Sequence, residues 1–322
     1  MERLDDDTLY KNFIEDMDLQ DKTKKTIENY GSCVRDFLNW LHKRKHVAAD
    51  VQGKIGKKLL IEYLKHLRER KVNGSNKNLS YSRIKIYFSA LNCFYDFLLI
   101  TEELVENNLV LPIRRHYLKQ YKNGYKQAVR KIISVSEMSK FIKGIFNLQD
   151  KTIVTVFVKT GVRKGELMAM DVDDVDLNER TITLKEKFHK RTNLIVVFDD
   201  ECKYILKQWL QRRAMIAKTG ERALFLNEYG DRIHKNKAYN AVTYWASRYG
   251  INNAESPHLK DRFSPHNLRH CFTTYLTEAK MYEPFIEWLR GDSPGKSIDR
   301  YKHITIDKVR DSYDKSMPIF GI

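Results

Sequence analysis

Cysteine is scarce in this chain of 322 residues. The four present, Cys33, Cys93, Cys202 and Cys271, are widely scattered and form no C-x-x-C pair. That spacing argues against a disulfide framework or a zinc site and reads as four buried apolar side chains. Long apolar runs are also missing. None approaches the length of a membrane span, and the polar N-terminus has no signal-peptide pattern, so a cytoplasmic protein with no membrane partner is expected. Acidic residues are the third shortage, 42 Asp and Glu against 58 Lys and Arg, for a formal charge of +16. Such an excess suits a polyanion, nucleic acid ahead of an anionic membrane surface.

What is present is enough apolar material for real cores, 42% of residues, in a chain long enough for two domains or one large one. Ile27, Tyr30, Val34, Phe37, Leu38 and Leu41 recur at helical spacing over 23–44. Leu59, Leu60, Tyr63, Leu64 and Leu67 do so over 57–70, and Ile84, Tyr87, Phe88, Leu91, Phe94, Tyr95 and Leu98 over 80–99. A short fourth helix is expected near 101–108. These stripes need partners, so a compact helical domain over 1–111 is the economical solution. The loop at 68–77 is basic and small, and Arg83 and Lys85 follow it. It reads equally as a DNA-backbone contact or as a solvated loop.

No acidic residue occurs from Asn107 to Ser136, whereas Arg114, Arg115, Lys119, Lys122, Lys126, Arg130 and Lys131 all lie there. Pro112 argues against helix continuation. Residues 112–131 are therefore expected to be a basic linker lying on an extended polyanion, with Arg114, Arg115 and Arg130 as contacts. An ordinary solvated linker is the alternative.

A second domain, 132–322, opens with a capping box, Ser134 to Glu137. A helical stretch over about 150–159 ends at Gly161. Arg163 and Glu166 follow, three apart, read as surface charge compensation or as a guanidinium held in place. Strands are expected at 181–184 and 194–198 around a basic turn carrying Lys187, Lys190 and Arg191. Helices follow at about 200–217 and 235–249, with Arg232 and Lys235 near the second as backbone contacts. In Pro265-His-Asn-Leu-Arg-His270, His266 and Arg269 share one face of a helix whose buried stripe is Leu268, Cys271, Phe272 and Leu276. Tyr301 follows the loop at 290–295, and the last helical pattern, 306–316, contains Tyr313. The apolar end, 317–322, packs on its own domain or on a neighbouring protomer.

Taken together, Arg163, His266, Arg269 and Tyr301 resemble the tyrosine recombinase (integrase) family over nearly the whole chain. The resemblance implies a multidomain, mostly α fold: an N-terminal helical core-binding (SAM-like) domain and a mixed α/β catalytic domain with a small β-sheet. It implies two catalytic arginines, Arg163 and Arg269, a His-x-x-Arg histidine, His266, a nucleophile, Tyr301, and a hairpin general acid. Lys187 fits that last role best, with Lys190 as runner-up. Double-stranded DNA is the implied partner, with self-association into a tetrameric synapse and neither metal nor cofactor. One position departs: Asp292 stands nine residues before Tyr301, where the family usually has His or Trp, a form similar to archaeal members. Two other readings stay open, a type IB topoisomerase and a DNA-binding protein with a degenerate site.

Overall fold

The computed structural model describes residues 5–72, 76–118, 130–185, 193–234, 236–256, 258–292 and 304–322. They fall into two compact units, Met1–Tyr125 and Lys126–Ile322.

In the first unit, α1 (Asp6–Leu19), α2 (Lys24–His42), α3 (Gly53–Glu69), α4 (Tyr81–Ile100) and α5 (Val110–Tyr117) follow one another. Their starts are set by short polar side chains: Asp5 accepts from Thr8 N at 2.7 Å and Ser80 from Arg83 N at 3.2 Å, each satisfying a donor the first turn leaves unpaired. The stripes read from the sequence bury Phe37, Leu41, Tyr63, Leu67, Phe88, Phe94 and Tyr95 in one core. Several polar groups that enter this core are paired there. Tyr63 donates to Asp36 at 2.8 Å, Arg70 reaches the same carboxylate at 2.8 Å, and Asp6 accepts from Ala48 N at 3.1 Å.

Two local expectations are corrected. No helix forms at 101–108; the short helix is α5, displaced towards the C-terminus, and it includes Pro112. Proline is tolerated there because the first turn of a helix has no use for the missing N–H. The first stretch of the expected linker, to Tyr117, is consequently helical. The helix α1 had no counterpart in the sequence reading, although Leu9, Phe13 and Met17 recur every fourth residue and are buried.

The second unit is built on α7 (Leu148–Thr160), which is buried along most of its length and packs against α9 (Asp200–Ala214) and α11 (Pro265–Glu278). Before it, Ser134 and Glu137 form the expected capping box at the start of α6 (Val135–Lys143). After it come α8 (Lys164–Ala169) and an antiparallel meander of β1 (Val175–Asp176), β2 (Thr181–Thr183) and β3 (Ile195–Val197). The register pairs Val175 with Ile182 and Ile182 with Val196. Strands β2 and β3 were expected and the two-residue β1 was not. Helices α10 (Lys237–Arg248), α12 (Glu283–Arg290) and α13 (Ile306–Ser316) complete the unit.

The C-terminal segment packs on its own chain, on α7 and α9. Phe320 is buried and its N–H donates to Glu201 at 2.8 Å, while the buried Lys159 donates to Glu201 at 2.7 Å and to Pro318 O at 2.9 Å. Cys33, Cys202 and Cys271 are buried and Cys93 is half-buried, all as free thiols. Among the described residues no helix is long and apolar enough to cross a membrane.

Candidate active site

Two chain reversals in the left-handed region shape the site. Gly161, at φ +61°, ends α7, and a side chain there would meet the Phe272 ring at 2.4 Å. Only glycine fits this close approach without strain. The turn delivers Arg163 to the position just before α8, where its backbone N–H donates to Glu166 at 2.7 Å and its Nη1 to the other Glu166 oxygen at 3.0 Å. Glu166 is buried. The spacing of three therefore does hold the guanidinium in place. At the other reversal, Gly291 at φ +57° ends α12 and turns the chain into Asp292.

Arg269 comes from α11, whose first turn is set by Pro265 and by Asn267 accepting from Ser264 N at 3.0 Å. It is 6% exposed, so its charge needs partners. It donates to Gly161 O at 2.5 Å, to Arg290 O at 2.9 Å and to Asp292 Oδ1 at 3.1 Å. Arg163 Nη2 donates to the same Asp292 oxygen at 3.3 Å, and the second Asp292 oxygen lies 2.9 Å from Arg290 Nε. Two guanidiniums from stretches 106 residues apart (269 less 163) thus converge on one oxygen atom.

His266 stands in the first turn of α11, one turn before His270, and the two Nε2 atoms lie 3.2 Å apart. Burial, then the charges of Arg130, His270, Arg269 and Arg290, push His266 down to about 4. His270 is lowered as well, first by burial and then by Arg130, Arg290 and Arg269. Both rings are therefore neutral at neutral pH, and a neutral imidazole can accept a proton.

The base of the β2–β3 hairpin is anchored on both sides. Lys185 reaches Asp174 at 2.6 Å and Asp171 at 3.0 Å, and Asn193 donates to Trp288 O on α12 at 3.3 Å. Lys187, Lys190 and Arg191, expected in its turn, lie outside the described residues, as do Lys235 and Tyr301.

The remaining residues read as DNA contacts each have their own surroundings. Arg83 lies over the Tyr87 ring and Lys85 over Tyr81. Arg114 is half-buried on α5, Arg115 is exposed, and Arg130 is half-buried. Arg232 is engaged within the fold: it donates to Met168 O and Met170 O at 3.2 and 3.1 Å and pairs with Asp171, closing the C-terminal end of α8. His270 was missed in the sequence reading, although its i+4 spacing from His266 gave the signal.

Residues 125–307 match the Phage integrase family, and residues 9–102 match the Phage integrase N-terminal SAM-like domain. The chain is 26% identical over 259 residues to the tyrosine recombinase XerC of Vibrio cholerae, covering 78% of this chain and 76% of that one. It is 26% identical to XerC of Haemophilus influenzae over 245 residues, covering 75% and 77% respectively. In fold it is similar to the Tn1549 transposon integrase solved in complex with a circular intermediate DNA, with a TM-score of 0.64, 16% identity, and 95% and 99% of the two chains covered. It is also similar to the XerH site-specific recombinase solved bound to its difH substrate, with a TM-score of 0.61, 18% identity, and 89% and 78% covered. The chain belongs to the phage integrase family, and it is a tyrosine recombinase whose activity is site-specific DNA recombination by strand cleavage and rejoining.

Proposed function

We propose that Arg163 and Arg269 grip the scissile phosphate and that Tyr301 attacks it. The observation that supports this reading is the convergence of Arg163 Nη2 and Arg269 Nη2 on a single oxygen, at 3.3 and 3.1 Å. Cleavage of a phosphodiester develops negative charge on its non-bridging oxygens, and fixed guanidinium donors stabilise that charge without reorganising. The Tyr301 oxygen forms a bond to phosphorus in line as the bond to the 5′-oxygen breaks, giving a 3′-phosphotyrosyl ester and a free 5′-hydroxyl. A phenol near pKa 10 needs its proton removed; His266 takes it. Lys187, or Lys190 in its place, protonates the departing 5′-oxygen. Attack by a 5′-hydroxyl from a second duplex reverses the same steps and exchanges strands.

In this reading residues 1–111 form the core-binding domain and 132–322 the catalytic domain. The basic stretch 112–131 lies along the DNA backbone, joined by Arg83, Lys85, Arg191 and Lys235. Arg232 is the weakest of the proposed contacts because its donors are already occupied. Four protomers assemble on two duplexes in the cytoplasm, where the DNA substrate resides. The test is to map covalent adducts on a library of duplex sites. A 3′-phosphotyrosyl bond at Tyr301, abolished by Tyr301→Phe while DNA binding persists, supports the assignment; an adduct at any other tyrosine rejects it.

A further inference from the structure

The phosphate cradle is already filled from within. Asp292 Oδ1 takes one hydrogen bond from Arg269 at 3.1 Å and one from Arg163 at 3.3 Å, as a non-bridging phosphate oxygen would. We propose that Asp292 is a built-in anion that occupies the place of the scissile phosphate in the DNA-free chain and must turn aside before a phosphodiester can enter. The inference rests on the reading of Arg163 and Arg269 as the phosphate clamp.

Three features support it. The first is charge: Arg269 is almost wholly buried, and beside the neutral carbonyls of Gly161 and Arg290 it meets the Asp292 carboxylate. A carboxylate supplies counter-charge to a buried guanidinium while no DNA is present. The second is competition. A guanidinium N–H given to Asp292 is not given in full to a phosphate, and two anions at one pair of donors repel. The third is a place to go. The other Asp292 oxygen already lies 2.9 Å from Arg290 Nε, and the side chain is 32% exposed. The Asp292 N–H donates to Glu287 O at 3.2 Å, so the backbone stays fixed to α12 while the carboxylate rotates about its own side-chain bonds. Asp292 therefore occupies both arginines and delays their use until DNA arrives.

The probe is inorganic phosphate, titrated by calorimetry into the full chain at neutral pH. Asp292→Asn keeps the size of the side chain and removes its charge, and Asp292→Ala removes both. Each variant is expected to bind phosphate at least tenfold more tightly than the wild type. Adding Arg163→Ala to Asp292→Asn is expected to abolish the gain. A merely structural role for Asp292 would lower phosphate affinity in both variants instead. If neither variant binds more tightly, while Arg163→Ala still weakens binding in the Asp292→Asn chain, Asp292 does not compete and the proposal is overturned with the clamp intact. If phosphate affinity is indifferent to Arg163 in every background, the clamp itself fails, and the proposal with it.

Discussion

His270 Nε2 lies 3.2 Å from His266 Nε2 across one turn of α11. At that distance one of the two nitrogens carries the hydrogen and the other receives it, so each ring fixes the tautomer of its neighbour. The pair also sits under the positive field of Arg130, Arg269 and Arg290, which adds to the effect of burial in keeping both rings neutral. His270→Ala is expected to slow adduct formation by about tenfold, below the 10²–10⁴ range typical of removing an acid–base group outright. His270→Gln, which can still offer a donor or an acceptor, is expected to recover part of the loss. Equal rates in all three chains would deny His270 any catalytic part.

The same rings predict an acid weakness in the fold. A histidine whose folded pKa lies near 4 instead of the ordinary 6.5 binds fewer protons in the native state than in the unfolded one throughout the interval between those values. Stability contributed this way is intact above 6.5 and is lost as pH falls through the interval. Melting temperature is expected to drop between pH 7 and pH 5. In the His266→Gln/His270→Gln double variant the drop should be shallower, measured by circular dichroism at fixed ionic strength. A parallel decline in both chains would place the acid sensitivity elsewhere.

Arg163 and Arg269 share an anion but differ in what the fold asks of them. Arg269 is almost fully buried and answers two backbone carbonyls as well as Asp292, so Arg269→Ala leaves two backbone acceptors unmet and removes one of the cations on the half-buried Asp292, a loss of about 3 kcal/mol in stability. Arg269→Lys rescues little, since one ammonium cannot reproduce the planar fork. Arg163 is 37% exposed, and Glu166 keeps a hydrogen bond from the Arg163 backbone after truncation. Arg163→Ala is expected to cost about 1 kcal/mol in stability yet lower the adduct rate by about 10²–10³. Urea melts and single-turnover cleavage on the same preparations separate the two effects.

Much of this was legible because the signals are local. Tyr63, Leu64 and Leu67, or Leu268, Phe272 and Leu276, announce a helix and its buried face by spacing alone. Ser134 and Glu137 announce a start, and Thr181–Leu184 and Leu194–Phe198 announce a hairpin. The two-residue β1 is too short to carry a period, and α5 was obscured by Pro112, a breaker within a helix but acceptable in a first turn. The arginines, His266 and Asp292 could be named from motif spacing, but the meeting of Asp292 with Arg163, 129 residues away, has no local signature. Arg232 shows the converse: an arginine near a helix start reads as a DNA contact until two carbonyls and Asp171 are found around it.

Tyr313 is another tyrosine of the C-terminal region, and its surroundings exclude it from chemistry in this conformation. It is fully buried, its hydroxyl donates to Lys159 O at 2.6 Å, and burial, then the nearby Asp199, Cys202 and Asp314, raise its pKa well above the ordinary value. Tyr313→Phe is expected to leave the covalent adduct intact and to cost about 1 kcal/mol in stability through the lost hydrogen bond. Tyr301→Phe should do the reverse. An adduct lost in Tyr313→Phe at unchanged stability would overturn the assignment of roles.

Lys159 holds the C-terminal segment to the unit, and the consequence can be measured. Its ammonium is fully buried and pairs with Asp199 and Glu201, donates to Pro318 O at 2.9 Å and lies 4.2 Å from the centre of the Phe320 ring. Burial raises Glu201, but the hydrogen bonds from Lys159 and from the backbone N–H groups of Phe320 and Ile322 more than offset it, leaving the carboxyl below its ordinary range. Lys159→Met would keep the stem and strand two carboxylates beside an apolar side chain, a loss of about 3–5 kcal/mol. Because Glu201 is the acceptor for the segment's backbone, the loss should appear there first: carboxypeptidase is expected to remove Ile322 and Phe320 from the variant at least tenfold faster at a temperature where the rest of the unit stays folded. Glu201→Gln, which can still accept one of those hydrogen bonds, should fall between the variant and the wild type. Trimming at the same rate in all three chains would mean that the segment is held by Phe320 packing alone.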